Sequence, residues 1–281
     1  MRIIKRTTFP IMILDTSETE LFYTDRVNGS RPIVMLHGTT GWGQSFDPLV
    51  PWLEKGHRLL IPDLRGHGRS DHVTDGYRVV DFAKDIIAML EQLAAKPAVL
   101  LGHSLGGLVV ISVAAERPDL VGGVIIEDAP LWLRRATVKD GSERAYTFFL
   151  TLHEILEQTQ YETEIEQRIR QELPEALERE TADLAERLAL LDPDVLRMSF
   201  DSSLMDGLDL DTSLAKIECP TLLIQADPAA GGSLPDEDVQ AVLKLLKRGA
   251  HRFAAGAGHM VHRDRPEEMA KIIKDWLREN K

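Results

Sequence analysis

Short runs that are apolar on both faces constrain this chain more than any other feature. "IVMLH" (33–37), "RLLIPD" (58–63), "AVLLGH" (98–103), "VGGVIIED" (121–128) and "TLLIQAD" (221–227) are each about one strand long. A strand with no polar face needs cover on both sides, which a parallel sheet packed between helices supplies. The segments between them fit that demand. Val79, Val80, Phe82, Ala83, Ile86, Ile87 and Leu90 follow helical spacing, as do Met269, Ile272, Ile273, Trp276 and Leu277 behind Pro266, which is tolerated in a first turn. The expected fold class is α/β, a mostly parallel sheet covered by helices on both faces.

The alternation stops between residues 131 and 215, where no convincing strand occurs. The stretch "EILEQTQYETEIEQRIRQELPEALERETADLAERLALL" is rich in Glu, Arg, Leu and Ala, with Pro174 as a break between helices. Its charges read as solvated helix faces, and heptads do not persist through Pro174 and Pro193, which argues against a coiled coil. The expected organisation is therefore a core of residues 1–130 and 216–281 with an inserted all-helical cap, 131–215.

Composition narrows the function classes. With 281 residues, 43% hydrophobic and 28% charged, the chain can bury a large core. A net charge of -12 and no dense Lys/Arg cluster argue against nucleic acid as a partner. Cys219 is the single cysteine, so no internal disulfide can form; it reads as a small hydrophobe, and a cytoplasmic, reducing compartment is expected. Lys5, Arg6 and Pro10 interrupt the N-terminal apolar runs before a signal-peptide core could form, and no run approaches the length of a membrane span. No membrane partner is expected, nor any metal or cofactor, and the chain is expected to be a monomer or homodimer.

Chemistry concentrates at "GHSLGG" (102–107), between the apolar run "AVLL" and the apolar helix "LVVISVAA". A serine hydroxyl is a weak nucleophile that must stand exposed on a tight turn beside a base. Gly-x-Ser-x-Gly between strand and helix meets that need: glycines let strand and helix approach, and the Leu105 amide at the helix start faces the oxygen of a tetrahedral intermediate. Ser104 is the expected nucleophile and Leu105 an oxyanion donor.

With these motifs in order, the sequence resembles the α/β-hydrolase family. "HGTTGWG" (37–43) is similar to its oxyanion loop, "DLRGHGRSD" (63–71) to the loop after the next strand, and "GAGHMVHRDRP" (256–266) to the segment carrying the catalytic histidine. The resemblance spans about residues 20–130 and 216–280, with the helical insertion where many members carry a lid. It implies His259 as general base, in preference to His262, and the amide of Thr39 as second oxyanion donor. His37, Gly38, His103 and the "RGHG" residues Arg65, Gly66, His67 and Gly68 are read as structural.

The acid has two candidates by this resemblance. Most members carry it after the strand that here reads "TLLIQAD", where the expected position is Ala229 and the nearby carboxylate is Asp227; a subgroup carries it after the strand ending "IIEDAP", where Asp128 stands. Asp128 is preferred, with Asp227 the alternative and a loop-capping role for whichever is not used. A serine at the elbow excludes the dehalogenase and epoxide-hydrolase members. What the resemblance implies is hydrolysis of carboxylic esters or lactones through an acyl-enzyme, with activity falling at acid pH because a histidine base titrates near about 6.5. C–C bond hydrolysis of a diketone, an acyltransferase or haloperoxidase-like activity, and a ligand-binding receptor on the same fold stand as alternatives. Trp42, Phe46, Trp132, Phe148, Phe149, Met198, Phe200 and Met205 are candidate pocket lining, and they point to a small, uncharged, apolar ester or lactone as partner.

Overall fold

A computed structural model describes residues 11–280 apart from Asn28, Ser30, Ala95 and 174–177. Pro174 and the N-terminal Lys5, Arg6 and Pro10 therefore lie outside the described residues. The strands are β1 (Ile11–Asp15), β2 (Glu20–Arg26), β3 (Pro32–Leu36), β4 (Arg58–Pro62), β5 (Ala98–His103), β6 (Val121–Glu127), β7 (Thr221–Ala226) and β8 (Gly249–Ala254). They form one sheet in the order β1-β2-β4-β3-β5-β6-β7-β8. β2 pairs antiparallel with β1 and β4, and the remaining pairings are parallel.

The apolar runs of the sequence are the central strands, and their side chains divide between two cores as a period of two requires. Val34, Leu36, Leu100, Val124, Ile126 and Leu223 pack on one face with the helices Val79–Leu93 and Leu105–Glu116. Ile33, Met35, Val99, Leu101, Ile125, Leu222 and Ile224 pack on the other with Phe46 and the helix Pro266–Glu279. β2, "ELFYTDR", and the edge strand β8 carry polar residues inside the strand. β8, "GAHRFA", is half-buried or exposed at every position except its last, because no further strand covers it.

Between β6 and β7 the chain is helical among the described residues, from the short turn Leu131–Arg134 to the helix Leu210–Lys216. Pro193 opens the helix Pro193–Phe200, with the Asp192 side chain capping its first turn. The insertion is not a separate body. Leu152, Ile155, Ile165, Leu188 and Leu196 share one hydrophobic cluster with the sheet residues, and the Tyr77 hydroxyl donates to Asp192 Oδ2 at 2.6 Å. No helix among the described residues is long and apolar enough to cross a membrane. Cys219 packs against this cluster, and burial pushes its thiol up to about 11, as suits a packing residue.

The loop after β4 is held by a buried ion pair. Arg65 and Asp85 are each 2% exposed, with Nε–Oδ2 at 2.6 Å and Nη2–Oδ1 at 2.7 Å. Thr19 Oγ1 also donates to Asp85, and Arg65 Nη1 donates to the Gly76 carbonyl. Removing one member of such a pair strands the other charge. Arg65→Ala is therefore expected to lower stability by about 3–5 kcal/mol, read as a shift in the urea midpoint with little change in slope.

Candidate active site

Parallel register brings the carboxyl ends of the central strands together. Leu36 pairs with Gly102, Gly102 with Ile126, and Ile126 with Leu223, so the loops that follow β3, β5, β6 and β7 leave from one edge. Ser104 begins the turn after β5 with φ 52° and ψ -115°, a backbone region that non-glycine residues rarely adopt. The neighbouring glycines explain how the turn is reached. A Cβ on Gly102 would lie 2.1 Å from the Gly106 carbonyl oxygen, and one on Gly106 would lie 2.2 Å from that of Leu36. Strand and helix cross with no room for a side chain, and the Gly106 amide donates to the His37 carbonyl at 3.1 Å.

The loop after β3 carries the residues expected to receive negative charge. Thr39 and Leu105 are buried and line the same cavity as Ser104. Neither amide donates a hydrogen bond within the protein among the described residues, whereas those of Gly106 and Gly107 are already used. The loop is held by imidazoles. His37 donates through Nδ1 to the Gly38 carbonyl and accepts the Leu64 amide on Nε2 at 3.0 Å, and His67 sits 2.8 Å from both the Arg65 and Thr39 carbonyls.

His259 follows β8, and its Nδ1 lies 2.7 Å from Asp128 Oδ2. A carboxylate can only accept here, so the hydrogen sits on Nδ1 and the Nε2 lone pair is left for the cavity. Asp128 is 0% exposed and His259 35% exposed, which puts the carboxylate inside and the imidazole at the cavity wall. Asp128 is itself over-determined: Oδ1 accepts the Ala226 amide at 3.0 Å and Oδ2 the Ser233 amide at 2.7 Å. Ser233 Oγ lies 2.9 Å from the Asp128 carbonyl and 3.2 Å from His259 Nδ1. Asp227 goes elsewhere. Its Oδ1 accepts the Ala229 amide and its Oδ2 the Gly256 amide, each at 2.9 Å, so it ties two loops together.

The second histidine of the segment has a carboxylate of its own. Glu127, the last residue of β6, accepts from the His262 amide at 2.8 Å and from its Nδ1 at 2.9 Å, with both side chains buried. His262 Nε2 has no hydrogen-bond partner among the described residues, and its ring lies against Phe46 and His103. An orphaned buried N–H would be costly, whereas a bare ring nitrogen against rings is tolerable, so Nδ1 carries the hydrogen. His103 donates through Nε2 to the His259 carbonyl at 3.0 Å. Glu127, Asp128 and His103 thus grip residues 259–262 from below. Sequence reasoning misses Glu127 and Ser233; the adjacent acids of "IIED" are a signal for the first, while nothing local marks the second.

These residues open onto a cavity of about 1110 Å³. Trp132, Phe148 and Phe149 line it, together with Leu108, Leu133 and Pro235. The other expected lining residues are packed away from it. Phe46 is fully buried on the other face of the sheet, Met198 and Met205 pack into the same hydrophobic cluster as Phe148 and Phe149 without reaching the lining, and Phe200 packs on Tyr146 and His153. Trp42 starts the turn Gly43–Phe46, outside the lining. The wall is not made of apolar residues alone: Arg135, Arg144 and Arg187 line the cavity with Glu143 and Glu172. Arg135, Glu143, Arg144 and Glu172 remain exposed, and Arg187 alone of the five is half-buried.

The alpha/beta hydrolase family model matches residues 33–272 of the chain. A 2-(acetamidomethylene)succinate hydrolase of Mesorhizobium japonicum is 39% identical over 104 residues, 37% of each chain. A pyrrolizixenacetamide deacetylase of Xenorhabdus hominickii is 26% identical over 282 residues, covering 89% of this chain and 92% of its own. The first three relatives are matched over only 37%, 46% and 32% of their own length. Among solved structures, the enol-lactonase of Burkholderia xenovorans superposes with a TM-score of 0.74 at 20% identity, over 95% of this chain and 99% of that one, which is a likeness of fold.

Burial pushes the His37 and His103 imidazoles well below their ordinary value, with adjoining imidazoles acting in the same direction, His67 on His37 and His259 and His262 on His103. Such a group binds a proton more readily in the unfolded chain, where it titrates near about 6.5. Its contribution to stability is complete above that pH and is lost as the pH falls below it. The melting temperature is expected to drop between pH 7.5 and pH 5, and to drop less steeply in His103→Asn.

Proposed function

Since the chain belongs to the alpha/beta hydrolase family, we propose that it is a serine hydrolase cleaving carboxylic esters or lactones through an acyl-enzyme. One observation carries the reading: a left-handed Ser104 and the Asp128-paired His259 line the same cavity as the unused amides of Thr39 and Leu105. Ser104 Oγ attacks the carbonyl carbon while His259 Nε2 takes its proton. The tetrahedral oxyanion is received by the amides of Thr39 and Leu105, and collapse expels the alcohol with the proton returned from His259. A water activated by the same imidazole then releases the acid and restores Ser104. Asp128 holds the imidazole in the tautomer that leaves Nε2 free and stabilises the imidazolium as it forms.

The same residues would serve an amide, and the relatives named as a deacetylase and as an acetamidomethylene-succinate hydrolase favour that as the second reading. Paired ester and anilide substrates of one acyl group discriminate between the two. The lone Cys219 and the acidic composition support a small-molecule enzyme of a reducing compartment.

A fluorophosphonate is expected to label the protein once, at Ser104, with loss of activity in proportion; full labelling without loss would overturn the reading. Asp128→Asn is expected to lower kcat roughly 10³-fold or more by stabilising the wrong tautomer, whereas Asp227→Asn, which loosens two loops, should leave kcat within about tenfold. Steady-state kinetics on phenyl acetate with Ser104→Ala as the blank measures both.

A further inference from the structure

The basic residues of the cavity are not equivalent. Arg135 is engaged by Asp238, with Nη2–Oδ2 at 2.9 Å, and Glu237 adjoins it. Glu172 is taken by Arg168 at 2.7 Å. Arg187 differs. It stands in the last turn of the helix Glu178–Leu188, half-buried, and its Nε donates to the Thr40 carbonyl at 2.9 Å. No carboxylate comes within 4.0 Å of its guanidinium among the described residues, and its two terminal nitrogens have no protein acceptor there. A guanidinium held by one nitrogen, with its other edge free in a cavity, is a ready fork for a carboxylate.

Its position relative to the chemistry follows from its anchor. Thr40 adjoins Thr39, whose amide is the proposed oxyanion donor, and neighbouring Cα atoms are about 3.8 Å apart. The free edge of Arg187 therefore stands close beside the oxyanion loop. We infer that Arg187 is a specificity residue and that the natural substrate carries a carboxylate a few bonds from the scissile carbonyl, as in a half-ester or half-amide of a short dicarboxylic acid. This deepens the hydrolase reading and rests on it.

Two further observations agree. Burial, reinforced by nearby Arg263, pushes the Arg187 guanidinium below its ordinary value, as expected for a positive charge whose compensation is incomplete. A single guanidinium fork with one free edge matches the two oxygens of one carboxylate.

The test compares monophenyl glutarate with its neutral methyl ester, methyl phenyl glutarate, in the wild type, Arg187→Gln and Arg187→Lys. The wild type is expected to favour the monoanion at least tenfold in kcat/KM. Arg187→Gln should cut that preference at least tenfold, mainly through KM for the monoanion, with Arg187→Lys between the two. Equal turnover of both esters by the wild type, or an unchanged preference in Arg187→Gln, overturns the inference. Should the Gln variant fail to fold, the Lys variant carries the comparison: a lowered preference supports the fork and an unchanged one overturns it. Fluorophosphonate labelling of Ser104 reports separately on the hydrolase reading. If labelling and turnover are both absent, that reading has failed, and free glutarate then judges the subsite alone. A glutarate-dependent rise in melting temperature that disappears in Arg187→Gln supports it. No rise in the wild type, or a larger rise with inorganic phosphate, overturns it.

Discussion

Everything at the candidate site depends on how closely β5 and the helix Leu105–Glu116 cross. The crossing leaves no volume for a Cβ at Gly102, which would meet the Gly106 backbone, and the same helix start lies so close to the end of β3 that Gly106 has none either, so the backbones themselves are the contact surface. That approach forces the intervening residue into a left-handed conformation, and Ser104 sits there at φ 52°. The strain, on the order of 1–3 kcal/mol, is held by the amides of Ser104 and Gly106, which donate to the Glu127 and His37 carbonyls of the flanking strands. A longer side chain on either glycine would push the helix away from the sheet and close the turn that exposes the hydroxyl.

The end of β6 plays a complementary part. Successive residues of a strand point to opposite faces, and β6 finishes with two adjacent acids. Glu127 keeps to the strand and takes His262 on the buried side, while Asp128, at φ 41°, turns out of the strand toward His259. One loop of the chain is thereby fixed at two points three residues apart by carboxylates that are consecutive in sequence. The proposed base is positioned by backbone and buried charge together, and its imidazole remains free only on the side that faces the cavity.

The helical insertion does more than cover the site. It shares its hydrophobic cluster with the sheet and lays Arg187 against the loop after β3. The inferred specificity residue and the proposed acyl chemistry thus reside in different parts of the fold, joined through the Thr40 carbonyl. Sequences that keep the elbow and replace the inserted helices would keep the reaction and change what reaches it.

Local sequence determined the central strands, the helices beside them and the strained serine turn. Each is written in a short-range pattern: continuous apolar runs, a 3.6-residue repeat, and glycines at the two positions where backbones touch. The edge strands were less legible, because β8 gains its place by pairing with β7 and not by burial. Pocket composition was illegible for a related reason: Phe46 looks like lining in a linear sequence but packs on the other face of the sheet, and Met198 shares the cluster of Phe148 and Phe149 yet stops short of the cavity. The partner of His259 was a choice between two aspartates that local pattern could not separate, since each stands at a strand end beside small residues. Only the tertiary structure put Asp128 at 2.7 Å from His259 and Asp227 on two backbone amides. The reason is physical: residues more than a hundred positions apart meet only through sheet register and loop path, and neither is encoded in the few residues around either acid.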